Sequence, residues 1–260
     1  MLLSPDLGTV AALSGFAFLA SFTDAIVGGG GLIQLPALLI LVPHAPLPII
    51  FGTHKAAATT GTMAAVARYA CGLRIDWKVT VPAAIASFTF SLLGAHAVSI
   101  LDPTILRPLI LALLVVVVVV TWRARDFGTV HLPRLATATA LAAAMLMGAV
   151  LGFYDGFFGP GTGTFLIFAF VGLFGFDFLG ATSAAKVVNL GSNFSAALYF
   201  VLTDQVIYRL AVPMAVASIA GGTVGSRLAL ARGVALVRVF FLVLVTALIL
   251  KLAFDTLHQR

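Results

Sequence analysis

The stretch FTDAIVGGGGLIQLPALL, residues 22–39, places one carboxylate and four consecutive glycines inside otherwise apolar sequence. A second stretch, FYDGFFGPGTGTFLIFAF, residues 153–170, repeats the pattern in the second half of the chain. The two stretches align without a gap when Asp24 is placed on Asp155; this shift is called the repeat offset below. Two matching glycine breaks in one chain predict an internal duplication, with a break in the backbone at the same place in each copy.

Other uncommon residues coincide at the repeat offset. Only 9% of the chain is charged, so aligned acids and bases are unexpected by chance. The further matches are Lys55 with Lys186, Gly28 with Gly159, Gly30 with Gly161, Trp77 with Tyr208, Pro82 with Pro213, Gly94 with Gly225 and Arg107 with Arg238. In a chain this apolar, an internal repeat is typical of a secondary transporter whose site lies between the repeats.

The composition predicts a membrane protein. Hydrophobic residues make up 61% of the chain and the mean hydropathy is +1.14, whereas soluble domains average roughly 45–50% apolar and about 25% charged residues. Uncharged runs such as residues 109–120 and 240–250 are the kind of segment that lipid accepts and a small core does not. We therefore predict an all-α polytopic membrane protein.

The charge and the cysteine count exclude several alternatives. The formal net charge of +6 comes from basic residues scattered at segment ends, which indicates contact with anionic lipid rather than with nucleic acid. The single Cys71 excludes an internal disulfide and a cysteine metal site. The five histidines are dispersed, so we expect no metal and no cofactor. The N-terminus lacks the basic region of a cleavable signal, so the first segment is expected to be a permanent helix.

Each half of the chain contains five apolar segments. Residues 1–127 form the first predicted repeat and 128–260 the second, and both belong to one membrane domain. The polar connector 123–134 joins them. The segments are 7–27, 31–42, 54–70, 78–100 and 104–122 in the first half, and 134–158, 161–174, 183–202, 207–230 and 234–254 in the second.

An odd number of segments predicts that the second repeat is inverted relative to the first. With the basic loops in the cytoplasm, both termini are expected to lie outside. The second segment of each half has 12–14 residues, or about 18–21 Å of helix, which is shorter than the roughly 30 Å hydrocarbon core. These segments are expected to be half-helices in glycine-broken hairpins. The basic side of the loops should be cytoplasmic; it carries Arg74, Lys78, Arg123, Arg125, Arg134, Arg227, Arg232 and Arg238.

The glycine breaks are the first candidate site. Helices that begin there would present free N–H groups and the positive end of the helix dipole, which suits a small anion. The other interpretation is that the glycines let helices pack closely in lipid. The residues concerned are Gly28, Gly29, Gly30, Gly31, Gly159, Gly161, Thr162 and Gly163.

The two lysines are the second candidate. Lys55 in GTHKAAATTGT and Lys186 in ATSAAKVVNLGSN each begin an apolar segment. A cation at mid-membrane costs about 2.5–3.5 kcal/mol on insertion scales, so it is usually paired or functional. Facing inward, the lysines would attract the anion or pair with Asp24 and Asp155. The other interpretation is that they snorkel to the interface.

The acids and the remaining polar residues leave several roles open. Asp24 and Asp155 lie four residues before each break and would either carry a proton or have a structural role, capping the hairpin or anchoring a lysine. Asn189 and Asn193 share one helix face after Lys186. The other polar candidates include His54, which titrates near neutral pH when unperturbed, and Gln34, which is another inward candidate.

The chain resembles the TauE/SafE family of membrane proteins, the sulfite exporter family. The likeness rests on FTDAIVGGGGLIQLPALL, GTHKAAATTGT, GFYDGFFGPGTGTFL and AAKVVNLGSN and spans both repeats. It implies a multi-pass protein of the bacterial inner membrane that exports sulfite or a related sulfur anion, with the glycine hairpins and the lysine segments as the site.

The leading interpretation is a secondary transporter that exports sulfite by alternating access, and two alternatives remain open. The substrate could be an organosulfonate such as sulfoacetate, and symmetric broken helices also build anion channels. An enzyme is not expected, because the chain has no HExxH or GxSxG motif. The sequence leaves the coupling ion and the oligomeric state open, a homodimer included.

Overall fold

The computed structural model describes residues 5–102, 104, 108–110, 112–116, 137–232 and 246. The described residues contain helices and connecting loops but no strand. The helices are α1 (Leu7–Val27), α2 (Gly31–Leu41), α3 (Leu47–Gly72), α4 (Trp77–Ile100), α5 (Thr137–Phe157), α6 (Thr162–Phe174), α7 (Phe178–Leu202) and α8 (Tyr208–Arg232). The connector 123–134, the last predicted segment and much of segment 104–122 lie outside the described residues.

Helix length and composition agree with a membrane protein. Four of the described helices, α1, α4, α5 and α8, are long and apolar enough to cross a membrane. The helices α2 and α6 have only 11 and 13 residues, which is about 16–20 Å at 1.5 Å per residue. The predicted short helices after each glycine break are therefore confirmed.

Two predicted helix starts are wrong. α3 begins at Leu47 rather than at residue 54, and α7 begins at Phe178 rather than at residue 183. The first turn of α3 contains a proline, which a helix tolerates there because the first N–H groups need no intrahelical acceptor. The carboxylate of Asp177 caps α7 by accepting from Gly180 N at 3.3 Å. As a consequence the two lysines lie more than two turns inside their helices.

The duplication read from the sequence reappears in the helix boundaries. The starts of α2 and α6, of α3 and α7, and of α4 and α8 are each separated by the same shift, the repeat offset. Contacts between the halves repeat at this offset too: Gly94 packs against the backbone of Phe153, and Gly225 packs against the backbone of Phe22. Small residues let the helices approach closely in these places, as they do in lipid-embedded bundles.

The contacts also define the helix directions. α1 runs parallel to α3, because Gly61 packs on Ser21 and the Tyr69 hydroxyl donates to Ala25 O at 2.6 Å. α3 runs antiparallel to its counterpart α7, because the start of α3 meets the end of α7. Gly52 lies against Phe200, and Lys55 lies against Asn193. Helix α7 thus runs opposite to α1 and α3.

Candidate functional site

Two buried ion pairs connect the halves of the chain. Lys55 Nζ lies 2.8 Å from Asp155 Oδ2. Lys186 Nζ lies 2.6 Å from Asp24 Oδ2. Each pair joins a lysine in a long helix of one half to the acid beside the glycine break of the other half. The duplication therefore produces two crossed pairs rather than a pair within each repeat.

Burial accounts for the pairing. Lys55 and Lys186 are only 1% and 0% exposed, which does not fit the interpretation that they snorkel to the interface. Removing an ammonium group from water is costly unless a close counterion and further hydrogen bonds offset it. Lys55 Nζ donates to Asn193 Oδ1 at 2.9 Å as well. The fixed position of each lysine places its charge against the break of the opposite half.

Asp24 also holds its own break together. Its Oδ1 accepts a hydrogen bond from Gly30 N at 3.2 Å, while Oδ2 receives Lys186. This geometry combines both structural roles that the sequence suggested, hairpin capping and lysine anchoring. Asp155 is more deeply placed, with a side chain 2% exposed against 16% for Asp24. The two acids are therefore equivalent in sequence but not in surroundings.

The two breaks follow different backbone paths. Gly28 and its counterpart Gly159 both have positive φ, at 77° and 94°, a region that residues with a side chain seldom enter. Beyond that point Gly29 has φ 84°, but its counterpart is Pro160, whose ring requires a negative φ. In the second break the positive φ moves one residue on, to Gly161 at 84°. Here glycine is required by the turn itself.

The tips of the two breaks touch. A Cβ added to Gly28 would collide with the backbone of Thr164, and one added to Gly163 would lie 3.0 Å from Gly28 Cα. A Cβ on Gly31 would lie 3.0 Å from Pro160 Cα. The Thr164 hydroxyl donates to Val27 O at 3.2 Å across this junction. The glycines thus permit the two breaks to converge.

A small polar cavity lies beside this junction. The volume that the centre of a water molecule can occupy inside the cavity is about 20 Å³. One water needs roughly 10–15 Å³ by that measure. Both halves contribute to its walls. The lining residues are Ala20, Ser21, Asp24, Gly29, Gly30, Gly31, Gln34, His54, Ala58, Thr62, Asp155, Gly159, Gly163, Asn189 and Asn193.

Not every predicted site residue lines the cavity. The lysines lie behind their carboxylates, so that Asp24 and Asp155 rather than the ammonium groups form the wall. Thr162 closes its own break by donating to Gly159 O at 2.7 Å. Gly28 and Gly161 shape the turns rather than the walls. Of the two inward roles that the sequence offered the lysines, attracting an anion or pairing with an acid, this conformation shows the pairing.

Residues that correspond at the repeat offset line the cavity with different side chains. Asn189 and Asn193 correspond at the repeat offset to Ala58 and Thr62, and all four line the cavity. Sequence reasoning missed the small residues of this wall, because alanine in an apolar helix carries no signal of a site. For Gln34 the sequence predicts only an inward side chain. The signal is a single amide in a half-helix, one turn after Gly31.

Comparison with known proteins defines the class. The profile described as sulfite exporter TauE/SafE matches residues 13–252. A probable membrane transporter protein, ORF9, of Sinorhizobium sp. is 33% identical over 93% of this chain and 91% of its own length. A probable membrane transporter protein of Haemophilus influenzae is 32% identical, with 92% of each chain covered. The probable membrane transporter protein YfcA of Escherichia coli K12 is 33% identical over 94% of this chain and 89% of its own. No solved structure matches the chain significantly.

The crossed ion pairs, the touching helix breaks and these matches together describe a multi-pass membrane transporter. The chain belongs to the sulfite exporter TauE/SafE family. The family resemblance found in the sequence is thereby confirmed. Its relatives are bacterial, in agreement with the predicted location in a bacterial inner membrane.

Proposed function

We propose that this transporter exports a small sulfur-containing anion, with sulfite as the leading substrate, by alternating access. The observation that carries the proposal is the pair of crossed Lys–Asp bridges at a polar cavity between two touching helix breaks. Charged residues within a membrane are costly and usually mark an ion or substrate pathway. The cavity is formed by one chain, so the proposal does not require the homodimer that the sequence left open.

The proposed architecture is two inverted repeats, residues 1–127 and 128–260. The antiparallel course of α3 and its counterpart α7 supports this arrangement. The loop between α3 and α4 carries Arg74, and Lys78 follows in the first turn of α4. Since basic residues concentrate on the cytoplasmic side, the end of α3 would face the cytoplasm and the end of α7 the opposite compartment.

The ion pairs suggest how an anion is accommodated. In the present conformation each lysine charge is neutralised by a carboxylate. An anion that enters between the halves would compete with the carboxylate for the ammonium group. Anion binding would therefore weaken the bridge between Asp24 and Lys186.

The small size of the cavity supports a contracted state of the site in the proposed cycle. Room for about one or two waters is too little for sulfite, so binding would require the cavity to widen. Opening requires the halves to separate at the junction of Gly28 with Thr164, as expected when one repeat rocks against the other. An inside-negative membrane potential drives anions outward, at about 2.3 kcal/mol per elementary charge and 100 mV.

The ion pairs and the touching helix breaks are also compatible with two alternative functions. An organosulfonate such as sulfoacetate presents a similar charged sulfur group and would need more space. An anion channel would use the same converging helices without an occluded state. The membrane-transporter names of the relatives favour transport over an intramembrane enzyme.

Flux measurements in proteoliposomes test the proposal. Purified protein would be reconstituted and supplied with sulfite, sulfate, thiosulfate, sulfoacetate or bicarbonate in turn. A sulfite exporter gives saturable sulfite flux and accelerated exchange when sulfite is present on both sides. A channel gives single-channel currents and weak saturation. Absence of flux for every sulfur anion would contradict the proposed function.

A further inference from the structure

One buried amide in the cavity has no hydrogen-bond partner. Gln34 is 1% exposed and lines the cavity, and among the described residues nothing accepts from its Nε2. A buried N–H group without an acceptor destabilises a folded protein, so such groups are uncommon and require an explanation. Packing does not supply one, since an apolar side chain of the same size would fill the space without that cost.

The surrounding contacts indicate that the amide is free for a ligand. Gln34 lies three residues after Gly31, on the same face of α2, and both residues border the cavity. Nearby Asp24 uses one oxygen for Gly30 N and the other for Lys186. The carboxylate is thus occupied by other donors, and the Nε2 hydrogens remain available within the cavity.

A second unpaired nitrogen lies in the same wall. His54 is 3% exposed, lines the cavity, and its Nδ1 also lacks a partner among the described residues. Neither side chain has a polar counterpart in the second half, because the matching residues at the repeat offset are Phe165 and Ala185. At these two positions the first half therefore supplies polar groups and the second half does not.

We propose that Gln34 is a substrate-binding and specificity-determining residue, whose amide donates to an oxygen of the transported anion after the cavity widens. The inference rests on the proposed function and deepens it. A donor of this kind favours an anion that turns an unprotonated oxygen toward it, such as sulfite. At the matching position of the second half, Phe165 offers no donor, so this contact to the anion comes from the first half alone.

The variant Gln34→Met tests this role, since methionine has a similar shape and no N–H group. In the proteoliposome assay, the sulfite concentration that gives half-maximal flux should rise about 10-fold, as expected for one lost hydrogen bond to a charged group. The melting temperature in detergent should stay equal or rise, because an unpaired buried amide has been removed. A purely structural residue would show the opposite, a lower melting temperature with unchanged half-saturation.

Ser218→Ala is the matched control. Ser218 is 0% exposed and its hydroxyl also lacks a partner among the described residues, but it does not line the cavity. Its replacement should leave sulfite flux unchanged. As a second variant, Gln34→Asn keeps the donor but retracts it, so the preference for sulfite over the larger sulfoacetate should fall.

The outcomes separate this inference from the proposed function. If wild-type flux saturates and Gln34→Met needs a higher sulfite concentration for half-maximal flux, the proposed function and the role of Gln34 are both supported. Saturable wild-type flux with the same half-saturation in Gln34→Met overturns the role of Gln34 and leaves the exporter intact. Absence of wild-type flux for every sulfur anion overturns the proposed function and this inference with it.

Discussion

The ammonium group of Lys186 lies 2.6 Å from the carboxylate of Asp24, although the two residues belong to different halves of the chain. The equivalent pair, Lys55 with Asp155, is separated by 2.8 Å. Among the described residues, each buried lysine therefore finds its bridging counterion in the other half. The halves are electrostatically dependent on one another, and any motion that separates them must transfer or neutralise these charges.

Replacing Lys186 by Ala should destabilise the protein as well as weaken transport. The substitution leaves Asp24 without its cation, and loss of one partner from a buried pair costs about 3–5 kcal/mol. The measurement is the melting temperature in detergent. Asp24→Asn combined with Lys186→Ala should recover part of the loss, because no uncompensated charge remains.

Lys78→Ala provides the control for that series, since Lys78 is exposed at the start of α4 and exposed charges contribute little to stability. It should melt close to the wild type. A single Lys186→Ala variant as stable as Lys78→Ala would show that the bridge does not hold the halves together.

Asp24→Asn should change anion transport more than Asp155→Asn. Both side chains border the cavity, but that of Asp24 is 16% exposed and that of Asp155 only 2%. Without the Asp24 charge, the ammonium group of Lys186 is open to the anion, so the sulfite concentration that gives half-maximal flux should fall. The same half-saturation in the wild type and in Asp24→Asn would leave this acid with a purely structural role.

The contact between the breaks should tolerate no side chain at Gly28. Gly28→Ala would introduce backbone strain of about 1–3 kcal/mol, because φ 77° with ψ 173° is essentially a glycine conformation, and a collision with the backbone of Thr164. We expect lower stability and little flux. Gly161→Leu should behave similarly because Gly161 also has positive φ.

Gly15→Ala is the comparison for the glycine variants. A Cβ on Gly15 would meet nothing within 4 Å, and alanine in a helix is favoured over glycine by about 0.5–1 kcal/mol. Its melting temperature should be unchanged or higher. Wild-type flux from Gly28→Ala would contradict the proposed importance of the junction.

The sequence predicted the duplication, the glycine breaks and the short helices that follow them, because these features depend on rare residues in apolar surroundings. It did not predict which acid pairs with which lysine. The repeat offset aligns Asp24 with Asp155 but is equally compatible with pairing inside a repeat or across repeats. Only the packing of α3 and α7 decides between these arrangements.

Other features were beyond sequence reasoning for different reasons. The early start of α3 was obscured by a proline that is tolerated in the first turn. The walls formed by Ala20 and Ala58 carry no chemical signal. The deep burial of the lysines follows from the true helix starts, so the two misplaced starts led to the interpretation that the lysines snorkel to the interface.

The central claim, that the two halves are inverted copies around one site, can be tested with the single native cysteine. Cys71 is exposed near the end of α3, and its counterpart at the repeat offset is Leu202, 74% exposed at the end of α7. Two proteins suffice: the wild type, and a Cys71→Ser variant that also carries Leu202→Cys. Each is treated with a membrane-impermeant maleimide in intact cells and in inside-out vesicles.

Inverted repeats predict that Cys71 is labelled only in inside-out vesicles, whereas the cysteine at position 202 is labelled only in intact cells. Labelling of both positions from the same side would contradict the inverted arrangement and the shared site built upon it.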